Sequence, residues 1–235
     1  PETSSSPAAA TDVSSVANSQ PEQSLAAAQP SQQLIRVRTD VLEVAIDPRG
    51  GDIVELLLTQ YPRRQDRPDV PFQLFERSGE RTYEAQSGLI GDGPDQANGR
   101  PLYSSAKTQY TLDEGQEQLV VDLTYSADGV NYTKRFTFER GEYDLGVRYL
   151  IDNQSNEPWT GYLFGQLKRD NSSDPSSSTA TGTATYLGAA MWTKEDSYRK
   201  ISRGDMDDKS LRETVQGGWI AWLQHYFVTA WIPQP

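Results

Sequence analysis

From Leu34 onward, apolar and polar residues alternate along most of the chain, the spacing typical of β-strands. The clearest early example is Val41 to Ile46, which is followed by a second apolar run from Ile53 to Leu58. Residues 47–52 between them read Asp-Pro-Arg-Gly-Gly-Asp, a strong turn signal. The two runs therefore predict a β-hairpin.

A second hairpin is predicted from Leu119 to Phe138, because its centre holds Asp128-Gly129, a dipeptide favoured where both turn residues need a positive φ. One face of the returning strand is apolar, with Lys134 as the exception. A third alternating run follows at Tyr143 to Ile151, so we expect an antiparallel meander.

The remaining segments add strands and little helix. Trp159 to Leu167 continues the strand pattern, and Met206 to Val215 predicts a short helix. The aromatic segment Trp219 to Ile232 fits a helix face or strands, and we favour strands in this context. The pattern as a whole predicts an all-β, mainly antiparallel fold with minor helix.

The first 33 residues differ in composition from the rest. They contain 8 Ser, 7 Ala, 5 Gln and 4 Pro, and no aromatic residue, Lys or Arg. Such a segment cannot bury enough apolar surface to offset its chain entropy. We therefore predict a disordered tether at residues 1–33 and one folded domain at residues 34–235.

Charge and composition exclude several functions. The chain has 22 Lys and Arg against 33 Asp and Glu, a net charge of −11, which argues against nucleic acid and anionic lipid as partners. It has no Cys, so disulfides and thiol chemistry are excluded. No apolar run reaches the roughly 18 residues that span a bilayer, and we expect the chain itself to be soluble.

Candidate chemistry is sparse. The one histidine, His225, could serve a catalytic triad, but no Gly-x-Ser-x-Gly motif accompanies it, and a structural role is the better interpretation. Oxygen ligands for Ca²⁺ could come from Asp92 and Asp95 or from the acidic residues at 205–208, but neither set has EF-hand spacing. We interpret both as solvated acidic loops and expect no metal, cofactor or catalytic residue.

Several short blocks occur together in the order found in one protein family. They are Thr39–Val44 with Arg49–Asp52, Gln86–Leu89, Gly93–Asp95, Arg100–Tyr103, Phe164–Leu167, Gly217–Phe227 and Ala230–Pro233. Jointly they resemble the periplasmic domain of the bacterial membrane protein insertase family YidC. The Ser/Ala/Gln-rich start is similar to the tether that follows the family's first membrane helix.

The resemblance implies a β-supersandwich similar to galactose mutarotase-like folds. It also implies a multi-pass protein of a Gram-negative inner membrane, with this domain on the periplasmic face. The whole protein would insert and fold nascent membrane proteins, alone or with the Sec translocon, and this domain would dock SecDF without catalysis. The family's periplasmic region continues past Ala230–Pro233, so we expect this sandwich to lack its final C-terminal part.

For the docking surface, the family and the aromatic clustering point to Gly182 to Trp231. We predict partner contacts through Tyr186, Trp192 and Tyr198. Two alternatives stay open: a mutarotase-like groove that binds a glycan or a peptide, and a structural spacer. Catalysis of the mutarotase kind is not expected, because those enzymes use several histidines and this chain has one.

Overall fold

The computed structural model describes residues 33–96, 99–173, 186–208 and 210–234, all within one unit that runs from Gln32 to Pro235. The predicted tether lies outside the described residues except for Gln33, and so do residues 174–185. The described part is almost entirely β-structure, and its one parallel pairing joins the first and seventh strands. The predicted all-β, mainly antiparallel class is therefore confirmed.

Fifteen strands and one short helix make up the described part. In chain order they are β1 (Ile35–Arg38), β2 (Leu42–Asp47), β3 (Asp52–Arg64), β4 (Arg67–Arg77), β5 (Thr82–Gly91), β6 (Ser104–Ser105), β7 (Gln109–Thr111), β8 (Gln118–Ala127), β9 (Val130–Glu139), β10 (Leu145–Asn153), β11 (Gly161–Arg169), β12 (Gly188–Trp192), β13 (Arg199–Ile201), α1 (Arg203–Asp208), β14 (Trp219–Leu223) and β15 (Val228–Trp231). Three sheets result. The first has seven strands in the order β11-β5-β4-β3-β2-β1-β7, the second is β10-β9-β8-β6, and the third is β13-β12-β14-β15.

Both predicted hairpins are present. β2 and β3 pair around the turn at Asp47–Asp52, and β8 pairs with β9 around Asp128-Gly129. The φ angles of Asp128 and Gly129 are 51° and 77°, so both turn residues adopt the left-handed conformation that this dipeptide tolerates. β10 pairs with β9 and completes the predicted meander.

β11 is the strand predicted from Trp159 to Leu167, but it does not extend the meander. It pairs with β5 instead and forms the edge of the seven-stranded sheet, with Leu163 opposite Leu89. β14 and β15 confirm that the aromatic C-terminal segment forms strands rather than a helix.

The helix prediction was wrong in position. α1 spans Arg203–Asp208, and residues 210–218 are not helical. The physical reason is a reciprocal cap: the amide of Asp205 donates to Ser202 Oγ, and the amide of Ser202 donates to the carboxylate of Asp205. This cap begins the helix before the apolar residues on which the prediction was based.

The core lies between the seven-stranded sheet and the second sheet. Most of its buried members come from β1 to β5 on one side, and from β8 and β9 on the other. Those of the second sheet are Val121, Leu123, Phe136 and Phe138. The third sheet closes the same core with Trp222, Phe227 and Trp231, and the ring of Phe227 lies 4.4 Å from that of Phe72.

Candidate functional site

Strand register places a row of large side chains across the third sheet. Trp192 on β12 lies directly opposite Trp219 on β14. Tyr198 immediately precedes Arg199, the residue of β13 that pairs with Met191 on β12, and so lies at the same end of the third sheet. We call Tyr198, Trp192 and Trp219 the aromatic row. The ring centroids of Tyr198 and Trp219 are 6.4 Å apart.

Two of the three predicted partner-binding residues thus lie at the same end of the third sheet, and both are exposed. The exposed fractions are 36% for Trp192 and 51% for Tyr198. Exposed Trp and Tyr side chains are over-represented at sites that anchor protein partners. Whether these residues bind a partner stays a prediction.

Tyr186 is placed differently. Its hydroxyl donates a hydrogen bond to the carbonyl of Ala189 at 2.8 Å, and the ammonium of Lys200 lies 4.7 Å from its ring centroid. A Cβ added to Gly188 would approach the Tyr186 hydroxyl to 2.6 Å, so the ring occupies the space above this glycine. Tyr186 is therefore built into the third sheet, and its side chain is less available to a partner than the aromatic row.

A second constellation lies in the interior and was missed from the sequence. Asp52, Asp95, Arg100 and Lys134 meet between the seven-stranded sheet and the second sheet, and we call them the buried charge cluster. Arg100 donates to the carboxylates of both Asp52 and Asp95. Lys134, the single polar exception on the inner face of β9, is 1% exposed.

The cluster is joined by backbone groups as well. The ammonium of Lys134 donates to the carbonyls of Gly50 and Ser87 at 2.9 and 3.0 Å. The carboxylate of Asp95 accepts the amide of Leu89 at 2.8 Å. The interpretation of Asp95 as part of a solvated acidic loop was therefore wrong. The Asp95 side chain is buried, and its carboxylate accepts hydrogen bonds from the amide of Leu89 on β5 and from the guanidinium of Arg100.

Burial shifts the pKa values within this cluster. It lowers the pKa of Lys134 to about 7 against the attraction of Asp52, and it raises the pKa of Asp52 against the attraction of Arg100. The burial of Tyr149 likewise raises its pKa, and its hydroxyl lies 3.0 Å from Ser87 Oγ. These groups form hydrogen bonds and ion pairs within the core, which favours a structural role over catalysis.

The buried charge cluster explains why separate sequence blocks belong together. Gly50 and Asp52 come from the first hairpin turn, Ser87 from β5, and Asp95 and Arg100 from the loop that follows it. A signal was present in the sequence: a lysine on an otherwise apolar strand face requires buried acceptors. The partners could not be named, because they come from segments distant along the chain.

Two of the remaining acidic candidates bind backbone amides. Asp92 accepts the amide of Thr160 at 2.8 Å, and Asp205 forms the helix cap described above. His225 lies in the turn between β14 and β15. Within residues 33–96, 99–173, 186–208 and 210–234, no group of three or more His, Cys, Asp and Glu side chains is arranged to hold a metal ion.

Sequence comparison decides the family. The model of the YidC periplasmic domain matches residues 34–235. The chain belongs to this family. It is 79% identical over 225 residues to the membrane protein insertase YidC of Stutzerimonas stutzeri (strain A1501), covering 96% of this chain and 40% of that protein.

Other YidC proteins are also similar. That of Azotobacter vinelandii (strain DJ) is 68% identical over 210 residues, with 88% of this chain and 38% of that protein covered. That of Pseudomonas fluorescens (strain SBW25) is 68% identical over 205 residues, with 86% and 37% covered. The chain therefore spans about two fifths of the length of these curated relatives.

Membership of the YidC periplasmic family confirms the resemblance seen in the sequence and the expected location at the periplasmic face of the inner membrane. In the part of the chain that the structure describes, no helix has the length and apolar character needed to cross a bilayer.

Proposed function

We propose that this YidC periplasmic domain is a non-catalytic docking module of a membrane protein insertase. It assists the insertion and folding of inner-membrane proteins by binding components of the Sec translocon such as SecDF. The insertase role is supported by the similarity to membrane protein insertases, and nascent membrane proteins are further partners.

The observation that carries the docking role is the aromatic row. Three large aromatic side chains lie at one end of the third sheet, and Trp192 and Tyr198 are exposed. Burying such a row against a partner gains contact area at little cost in side-chain entropy, since Trp and Tyr have few rotatable bonds.

The non-catalytic part of the proposal rests on the buried charge cluster. Its charged groups pair internally, and Asp52 and Asp95 are each 3% exposed as side chains. A catalytic carboxylate needs access to its substrate, whereas these two are buried and paired with Arg100.

The test is retention of purified SecDF by the immobilised chain. Truncating both Trp192 and Tyr198 to Ala should weaken retention by about tenfold or more, as expected for two exposed anchor residues. Tyr162→Ala is the matched control, because Tyr162 is a 68% exposed aromatic on β11 outside the third sheet.

Retention that is unchanged in the double variant would place docking elsewhere on the domain. Equal losses in the double variant and in the Tyr162 control would show that the contact is not specific to the aromatic row. No retention by the unaltered chain would overturn the docking role.

A further inference from the structure

The third sheet meets the seven-stranded sheet along β11. The indole nitrogen of Trp231 donates to the carbonyl of Gln166 at 3.1 Å. The same indole lies over Gly165, where an added Cβ would come within 3.0 Å of the ring. β15 and β11 can approach each other this closely because Gly165 has no side chain.

Arg169, the last residue of β11, contacts both sheets at once. Its guanidinium carbon lies 5.0 Å from the ring centroid of Tyr83 on β5 and 5.5 Å from that of Trp222 on β14. Its Nη1 donates to Gln224 Oε1 at 2.9 Å. We call Tyr83, Arg169, Trp222 and Gln224 the Arg169 clamp.

Two members of the clamp are buried, and a second cation reinforces it. Tyr83 is fully buried, Gln224 is 5% exposed, and Arg169 and Trp222 are half-buried, so the guanidinium is partly shielded from solvent, which strengthens cation–π attraction. The guanidinium of Arg203 lies 5.8 Å from the ring centroid of Trp222 and donates to the carbonyl of Ser172. Trp222 is thus flanked by two cations, one from β11 and one from α1.

β14 connects the clamp to the aromatic row. Trp222 and Trp219 are three residues apart on the same strand, so their side chains point to opposite faces of the sheet. Trp222 faces the body of the domain, while Trp219 lies in the aromatic row. Because Trp222 and Trp219 share this strand, a shift of Trp222 relative to Arg169 would also shift Trp219 in the aromatic row.

We infer that Arg169 is a positioning residue for the docking surface: through Trp222 and Gln224 it fixes the third sheet, and with it the aromatic row, on the seven-stranded sheet. This inference rests on the proposed docking function. Arg169 itself does not contact the partner.

The first test combines hydrogen exchange and SecDF retention in Arg169→Met. This variant keeps an unbranched, flexible side chain but removes the guanidinium stack and the bond to Gln224. Amide exchange in β12, β14 and β15 should accelerate by about tenfold or more, while β8 and β9 keep their protection. SecDF retention, scored per folded protein by near-ultraviolet circular dichroism, should fall although Trp192, Tyr198 and Trp219 are intact.

A pair of substitutions at Trp222 separates positioning from general stability. Trp222→Phe preserves an aromatic face for Arg169 and should retain most SecDF, whereas Trp222→Ala should behave like Arg169→Met. Gln224→Ala removes only the side-chain hydrogen bond to Arg169 and should have an intermediate effect on exchange and retention. It therefore tests the inference even if Arg169→Met does not fold. Arg135→Met, which removes an ion pair with Asp122 on the second sheet, is the control.

Unchanged exchange and unchanged retention in Arg169→Met and Gln224→Ala would overturn the inference. Accelerated amide exchange with full SecDF retention would also overturn it, because the aromatic row would then bind SecDF even though the third sheet is no longer fixed by Arg169. If the unaltered chain fails to retain SecDF, the docking function is overturned, and the exchange data alone decide whether Arg169 holds the third sheet.

Discussion

Arg100 and Lys134 donate hydrogen bonds to the same two backbone carbonyls, those of Gly50 and Ser87. Arg100 reaches them from the loop after β5, and Lys134 from the centre of β9. The first hairpin turn, β5, this loop and the second sheet are therefore joined at one point. Arg100 additionally binds Asp52 and Asp95, so the two cations are not equivalent.

Lys134→Met should therefore be tolerated better than Arg100→Met. In Lys134→Met the two carbonyls keep Arg100 as a donor, and a cost of about 1–2 kcal/mol is expected. In Arg100→Met two buried carboxylates lose their bonded cation, which costs about 3–5 kcal/mol. Urea unfolding followed by Trp fluorescence measures both, and equal costs would contradict the unequal roles.

The stability of the domain should also depend on Lys134 at alkaline pH. Burial lowers the folded-state pKa of Lys134 to about 7 from an ordinary value of 10.5. Below pH 7 the ammonium is protonated in both states and its burial cost is fully present. Between these two pKa values the unfolded chain holds a proton that the folded chain has released, so stability rises with pH by at most about 1.4 kcal/mol per pH unit.

The measurement is the free energy of unfolding of the unaltered chain minus that of Lys134→Met, from pH 6 to pH 10. Subtracting the free energy of the variant cancels the contribution of other titrating groups, provided that Asp52, Asp95 and Arg100 keep their contacts in Lys134→Met. The difference should be flat below pH 7 and rise above it. A difference that stays flat up to pH 10 would show that Lys134 keeps its proton in the folded state.

Asp52 acts in the opposite sense at acidic pH. Burial raises its folded-state pKa above the ordinary value of 3.8, so the folded chain takes up a proton before the unfolded chain does. This contribution to stability falls as pH rises from 3.8 through the folded-state pKa.

The sequence predicted elements whose information is local. The turn at Asp128-Gly129, the strands β8, β9 and β10, and the pairing of β2 with β3 follow from alternation and turn residues. It did not predict that β11 pairs with β5, because alternation shows that a strand exists and does not show its neighbour. The predicted helix starts too late in the chain, because the reciprocal cap at Ser202 begins α1 before Met206.

The candidate site was predicted in part for the same reason. Trp192 and Tyr198 were named from aromatic clustering, and sheet register brings them together. Trp219 was seen only as part of an aromatic segment, because its place opposite Trp192 depends on pairing between distant strands. Lys134 was visible as an exception, but Arg100 and Asp95 act through contacts that the linear pattern does not contain.

Gly88 should not tolerate a side chain. A Cβ at Gly88 would lie 2.3 Å from Asp95 Oδ2 and 2.6 Å from the ring of Phe164. Gly88→Ala should therefore displace Asp95 from Arg100 and cost about 2 kcal/mol or more. Gly79→Ala is the matched control, because nothing lies within 4 Å of its added Cβ. Equal melting temperatures of the two variants would contradict the crowding at Gly88.

The cap at Ser202 should control α1 locally. Its hydroxyl accepts the amide of Asp205 at 3.2 Å and donates to the carboxylate of the same residue at 2.7 Å. Ser202→Ala removes both bonds, and loss of such a cap costs about 1 kcal/mol. Amide exchange in α1 should accelerate by roughly fivefold. Exchange in β8 and β9 should not change, because these strands lie in the second sheet, away from α1.

Ser202→Asn is the conservative control, since Asn caps helices as well as Ser does. α1 also carries Arg203, whose guanidinium lies against Trp222, so fraying of the helix should loosen one side of the Arg169 clamp. Exchange at Trp222 and its neighbours on β14 should rise slightly in Ser202→Ala and not in Ser202→Asn. If both variants exchange like the unaltered chain, α1 is held by its contacts with the body of the domain rather than by its cap.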